Sequence, residues 1–231
     1  MKRFKGILFD FNGTLFFDSD FHIEAFQKIF PRFGAPAPTR EDVVGRILGR
    51  SNAMIYKENI DPQASDAETC EFARKKESMY YGICLENKER FKLTEGAIEF
   101  LDYLKAEGIP FTIATGSDRE SVDFFFKYLD LDKWFDIDKM VYIDGTFNSK
   151  PAPDCYIMAA EKLGLKAEDC LVFEDGTSGI MAANAAKAAG TVVIYDKELP
   201  SPLKDGLDVD MVIHSFKEYK EILSHYDIVK Q

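Results

Sequence analysis

The chain has little that would tie it to nucleic acid, to a bilayer or to an oxidising compartment. Positive charge is in short supply: 29 Lys and Arg stand against 40 Asp and Glu, a formal net charge of -11, which repels polyanions and anionic membranes. No run approaches the roughly 20 consecutive apolar residues of a membrane span. The basic start Met1-Lys2-Arg3-Phe4-Lys5-Gly6 leads into an apolar run that is short, contains Asp10 and lacks a small-residue cleavage site, which argues against a secretory leader. The four cysteines, Cys70, Cys84, Cys155 and Cys170, form no CxxC pair and have no nearby His, so reduced, mostly buried thiols are expected. Internal repeats and low-complexity linkers are absent. A cytoplasmic protein, monomeric or weakly dimeric, with no nucleic-acid and no membrane partner is the expectation.

What is present is enough apolar material for a full core: 46% hydrophobic and 13% aromatic residues over 231 positions, a length that suits one α/β domain with an insertion. Residues 6–11 form an apolar run that reads as a buried strand ending at Asp10. From about Asp18 to Glu89 the apolar residues recur at helical spacing (Phe21, Ala25, Ile29; Val43, Ile47; Phe72, Met79, Tyr80, Ile83), with Thr39 placed to cap a helix. After Thr94 helices and strands alternate. Helices are predicted over 96–106, 119–129, 154–163 and 178–189, the first and third stopped by Gly108 and Gly164, with Asp154 as an N-cap. Strands are predicted over 110–114, 170–173, 191–195 and 211–214, followed by a terminal helix. Repeated βα units build a parallel sheet with helices on both faces. The predicted fold is therefore an α/β, Rossmann-like core, residues 1–17 and 93–231, with an inserted all-α domain, residues 18–92.

In an open parallel sheet, ligands bind beyond the carboxyl ends of the strands. Three predicted strands end in polar residues: Asp10 and Asn12, Thr115-Gly116-Ser117, and Glu174-Asp175. Lys150 precedes a fourth element in Ser149-Lys150-Pro151-Ala152-Pro153-Asp154. These types suit phosphoryl transfer, in which charge on three oxygens must be positioned and neutralised. Asp10 can serve as a carboxylate nucleophile. Mg²⁺, which prefers oxygen ligands, can be held by Asp10, the backbone carbonyl of Asn12, Asp175 and Glu174. Thr115, Ser117 and the amides around Gly116 can donate to phosphoryl oxygens, and Lys150 supplies a positive charge. Singly, each residue has an ordinary structural explanation as a turn, cap or solvated side chain; it is their conjunction at successive strand ends that points to a site.

The motifs Phe9-Asp10-Phe11-Asn12-Gly13-Thr14-Leu15, Ile113-Ala114-Thr115-Gly116-Ser117, Lys150-Pro151-Ala152-Pro153-Asp154 and Phe173-Glu174-Asp175-Gly176-Thr177-Ser178-Gly179-Ile180 resemble, in order, the four motifs of the haloacid dehalogenase superfamily. The helical insertion behind the first is similar to the cap of the branch that includes β-phosphoglucomutase and phosphoglycolate-type phosphatases. The resemblance implies Mg²⁺ dependence, an aspartyl-phosphate on Asp10 and a small phosphorylated metabolite, a sugar phosphate, as substrate. It further implies that His22, the loop around Arg50 and Lys76 are cap residues facing substrate. A phosphosugar mutase and a catalytically impaired phosphometabolite-binding protein are the alternatives.

Asn12 departs from the pattern. The residue two after the nucleophile is, in that family, an Asp that protonates the leaving oxygen and then activates water. A carboxamide donates a hydrogen bond but neither releases nor accepts a proton at accessible pH. The expectation is an intact metal and phosphate site with slowed turnover.

Overall fold

Gly6-Ile7-Leu8-Phe9 is buried at every residue, as a strand must be when both faces of its sheet are covered. The computed structural model describes residues 2–229. In chain order the strands are β1 (Lys2–Phe4), β2 (Gly6–Phe9), β3 (Phe111–Asp118), β4 (Val141–Ile143), β5 (Cys170–Glu174), β6 (Gly190–Ile194), β7 (Met211–Ile213) and β8 (Tyr226–Ile228). Six of them form a sheet in the order β4-β3-β2-β5-β6-β7, with neighbours parallel throughout. Strands β1 and β8 pair in parallel as a separate ribbon. Strand β2 lies between β3 and β5, with Leu8 aligned to Thr112 on one side and Val172 on the other. The chain thus departs from β2 toward opposite edges of the sheet, the switch point at which such folds bind ligands.

Alternation along β2 sends its side chains to two different layers. Phe9 lies among Phe100, Phe173 and Phe216, stacked on Phe173 at 5.1 Å between ring centroids. Leu8 belongs to the opposite cluster with Ala114, Tyr156, Val172 and Ala183. The helices that cover these layers are amphipathic by spacing: Ala97–Ala106 buries Ala97, Phe100, Leu101 and Leu104, while Asp154–Lys162 buries Cys155, Tyr156, Ala159 and Ala160. The α/β architecture with a parallel, doubly covered sheet is the one the sequence pattern implies.

The chain forms two compact units, Met1–Phe17 with Leu93–Gln231, and Asp18–Lys92. Where the chain re-enters the larger unit, Thr94 N–H donates to Leu15 O and its hydroxyl to Thr14 O, both at 2.8 Å. The smaller unit is helical throughout its regular elements, with helices Ser19–Ile29, Arg40–Asp42, Asn52–Asn59 and Asp66–Glu86 and a π-helical turn at Val43–Ile47. Its own core gathers Ile23, Phe26, Ile29, Phe30, Val43, Ile47, Ile55, Tyr56 and Phe72. Thr39 caps its helix through a reciprocal pair with Asp42, and Ser65 does the same with Glu68.

Several local expectations are corrected. Asp154 is the first helical residue rather than the cap; its carboxylate instead receives the backbone and side-chain N–H groups of Asn148. The helix expected to reach 189 ends at Ala185, and Lys187 adopts a φ of 58°. Strand β3 runs on to Asp118 and shifts register against β4 between Ala114 and Asp118. The terminal helix is short, Tyr219–Ser224, and is followed by β8. Among the described residues no helix is long and apolar enough to cross a membrane. The four thiols are free; Cys84, Cys155 and Cys170 are buried and Cys70 is exposed.

Candidate active site

Asp10 follows β2 directly and is 7% exposed. Its amide donates to Phe173 O on the neighbouring β5, which fixes the backbone at the strand end. Lys150 reaches it from the loop before helix Asp154–Lys162: the ammonium lies 2.5 Å from Asp10 Oδ1, 2.6 Å from Glu174 Oε1 and 3.1 Å from Ala114 O. The three protons of the ammonium thus meet three acceptors, two at the ends of β2 and β5 and one within β3. Burial disfavours the Lys150 charge, but the Asp10 and Glu174 carboxylates outweigh it and raise its pKa above the ordinary lysine value.

Glu174 closes β5 at 2% exposure. Its Oε1 also accepts from the Tyr156 hydroxyl at 2.6 Å, and its Oε2 accepts from the amides of Asp175 and Gly176 at 3.0 and 3.1 Å. Gly179, in the first turn of the following helix, allows this approach, since a Cβ there would overlap the Glu174 carboxylate. Gly13 does the same for Asp175, and with φ at +79° it also adopts a left-handed conformation that only glycine takes freely. Thr14 donates to Asp175 Oδ1 at 3.3 Å.

One carboxylate oxygen each from Asp10, Glu174 and Asp175 lies within 4.8 Å of the others. An all-oxygen donor set of three acids fits a hard divalent cation such as Mg²⁺. The arrangement also places a fixed ammonium beside the nucleophile candidate. Thr115 is buried, and its Oγ1 accepts from Ser117 N at 3.1 Å. The Ser117 hydroxyl donates to Asn12 Oδ1 at 2.7 Å. Gly116 between them is exposed. Asn12 is followed by Gly13, whose nitrogen, the atom that would attack the amide in deamidation, donates to Phe16 O at 2.8 Å.

Within the helical unit, His22 and Lys76 are brought together and Arg50 is not joined to them. Lys76 is 3% exposed. Its ammonium lies 2.8 Å from His22 Nδ1 and 3.0 Å from Glu77 Oε1. The His22 ring stacks on Tyr80 at 4.2 Å, with Nε2 3.1 Å from Asp18 Oδ2, and Tyr80 donates to the same Asp18 oxygen. Burial lowers the Lys76 pKa, against the opposing pull of Glu77. Arg50 instead forms a two-bond pair with Glu58, at 2.5 and 2.6 Å.

Tyr156, Thr14, Gly13 and Gly179 are the contributors that motif reading missed. Thr14, Gly13 and Gly179 fall inside the quoted motifs, so their positions were visible. Tyr156 sits outside them, on a helix face that reads as ordinary core.

Residues 4–187 match the family model for haloacid dehalogenase-like hydrolases. The chain belongs to that family. It is 28% identical over 222 residues to a phosphorylated carbohydrates phosphatase of Thermotoga maritima, an alignment covering 95% of this chain and 90% of the relative. It is 26% identical over 187 residues to the fructose-1-phosphate phosphatase YqaB of Escherichia coli, covering 80% and 94%. Among solved structures, a HAD hydrolase of family IA, variant 3, from Entamoeba histolytica superposes with a TM-score of 0.84 at 37% identity, covering 93% of this chain and 94% of that one.

Proposed function

We propose that this hydrolase is a Mg²⁺-dependent phosphatase of small phosphorylated carbohydrates, with Asp10 as nucleophile and proton transfer at Asn12 as its slow feature. The observation that carries the reading is the convergence of Lys150 with Asp10 and Glu174, at the ends of β2 and β5, within hydrogen-bond distance, beside Asp175. The named relatives supply the carbohydrate class.

Asp10, Asp175, Glu174 and the Asn12 carbonyl would hold the ion. Bound Mg²⁺ would neutralise charge on the phosphoryl oxygens as it develops. The Asp10 carboxylate attacks phosphorus, the P–O bond to the sugar breaks, and an aspartyl-phosphate forms. Lys150 holds Asp10 in place and adds positive charge where three oxygens carry negative charge. Thr115, within β3, would receive one of those oxygens. Water then attacks phosphorus and releases phosphate, restoring Asp10. Both halves of the reaction require a proton to move, to the departing alkoxide and from the water. The Asn12 side chain can orient these atoms but cannot exchange the proton.

The reading is tested by measuring phosphate release from a panel of phosphorylated carbohydrates with MgCl₂, using the protein and Asp10→Asn. Slow, Mg²⁺-dependent release that Asp10→Asn abolishes is expected. Release that survives Asp10→Asn would remove Asp10 as nucleophile, and transfer of phosphate between sugar hydroxyls without release would identify a mutase.

A further inference from the structure

We infer that Tyr156 is a positioning residue for the metal site, holding the Glu174 carboxylate in the orientation that lets it take part in binding the divalent cation. The inference rests on the reading of Glu174 as a metal carboxylate and adds a residue that lies outside the family motifs.

Tyr156 is the third residue of helix Asp154–Lys162 and is fully buried. Its hydroxyl donates to Glu174 Oε1 at 2.6 Å, and its ring face lies 4.9 Å from Lys150 Nζ. A carboxylate presents about four lone-pair sites, and four protein donors reach Glu174: Tyr156 and Lys150 on Oε1, the amides of Asp175 and Gly176 on Oε2. They differ in what else they can do. The two amides are fixed in the turn after β5 and hold only Oε2. Lys150 is shared with Asp10 and Ala114 O, so its ammonium is divided among several oxygens and can turn toward an arriving phosphoryl group. Tyr156 has one proton and is packed in the cluster with Leu8, Ala159 and Val172. It is the side-chain donor that stays on Oε1 when Lys150 is drawn elsewhere. When Lys150 turns away, one lone pair of Glu174 Oε1 opens to the ion, and the Tyr156 hydroxyl, still bonded to that oxygen, keeps it in place relative to Asp10 and Asp175. Groups that orient a metal ligand in this way typically change affinity by about 10- to 100-fold when removed.

The two ends of Tyr156 act on different partners, so substitutions separate them. Tyr156→Phe removes the hydroxyl and keeps the ring beside Lys150. Titration calorimetry of the full chain with MgCl₂ is expected to show a dissociation constant weakened by about 10- to 100-fold, while binding of inorganic phosphate changes little. The same substitution in a Glu174→Gln background is expected to have no additional effect on Mg²⁺ affinity, because the group it acts through is gone. A purely structural role would lower thermal stability in both backgrounds without this dependence. Should Tyr156→Phe not fold, Tyr156→Met fills the space with an apolar chain that also lacks a donor, and the same weakening is expected. Mg²⁺ affinity within about twofold of the parent protein in the variant that folds, or an equal loss in the Glu174→Gln background, overturns the inference. Absence of Mg²⁺ binding by the parent protein overturns it together with the functional reading beneath it.

Discussion

Ser117 donates its hydroxyl proton to Asn12 Oδ1 across 2.7 Å, which fixes the oxygen end of the amide against β3. The other end of Asn12 carries N–H groups that donate hydrogen bonds but do not give up a proton at accessible pH; under the proposed mechanism this is where a proton must move.

Replacing Asn12 by Asp is therefore expected to raise turnover of sugar phosphates by about 10²- to 10⁴-fold, the usual contribution of general acid and base catalysis. The parent protein, treated with acetyl phosphate and Mg²⁺ and then denatured, should retain phosphate mass on Asp10, because acetate leaves without protonation while hydrolysis lags. Equal rates for the two proteins, with no phosphate on Asp10 in either, would dismiss this account of Asn12.

Lys150 neutralises two carboxylates that are themselves nearly buried. Lys150→Met leaves Asp10 and Glu174 facing each other without a cation, and breaking a buried pair in this way typically removes about 3–5 kcal/mol of stability. Urea unfolding at neutral pH measures it. A midpoint unchanged from the parent would mean that the ammonium is not the group holding these acids together.

Gly179 has a narrower role. Because a Cβ at this position would overlap the Glu174 carboxylate, Gly179→Ala forces either the helix start or Glu174 to move. Overpacking of this kind costs about 1–3 kcal/mol, and Mg²⁺ binding should weaken with it. The contrast is Gly116, where a Cβ meets nothing within 4 Å; Gly116→Ala should leave stability nearly unaltered. Similar losses from both substitutions would contradict the packing argument.

The thiols offer a simpler measurement. Burial raises the pKa of Cys84 and Cys170 to about 12 and that of Cys155 to about 11, so their reactive thiolates are scarce near neutrality. Cys70 is exposed. Iodoacetamide on the native protein should therefore label Cys70 rapidly and the other three only on unfolding, as read by peptide mass. Early labelling at Cys155 would imply that the helix beside the site opens readily.

Asp10, Lys150, Glu174 and Asp175 were legible before any coordinates, since each is a charged residue where an apolar run stops or a loop begins. That arrangement has few purely structural explanations when it recurs in register. Tyr156 was not legible. An aromatic on the buried stripe of a helix reads as packing, and only the approach of β5 to that helix reveals where its hydroxyl goes. The sheet was readable from its apolar strands, including the three-residue β7, whereas β4 (Val-Tyr-Ile) and β8 (Tyr-Asp-Ile) carry polar or half-exposed residues and give no apolar run. The early end of the helix at Ala185 was hidden for a related reason: the alanine-rich stretch through Ala189 contains no glycine or proline until Gly190, and Lys187 takes the left-handed conformation usually left to glycine. In the helical unit, Lys76 beside Lys75 reads as a solvated face. Its ammonium instead meets His22, 54 residues away, a pairing that spacing along one helix does not reveal.

Strand β2 is made early in synthesis and has almost nothing to bond to when it emerges. Its partners β3 and β5 follow only after the helical insertion, and the lysine that steadies Asp10 is 140 residues downstream. Contacts of such long sequence separation form late, because the intervening chain must be ordered first. The contacts that surround Asp10 are consequently out of reach of a nascent chain until β5 has been made.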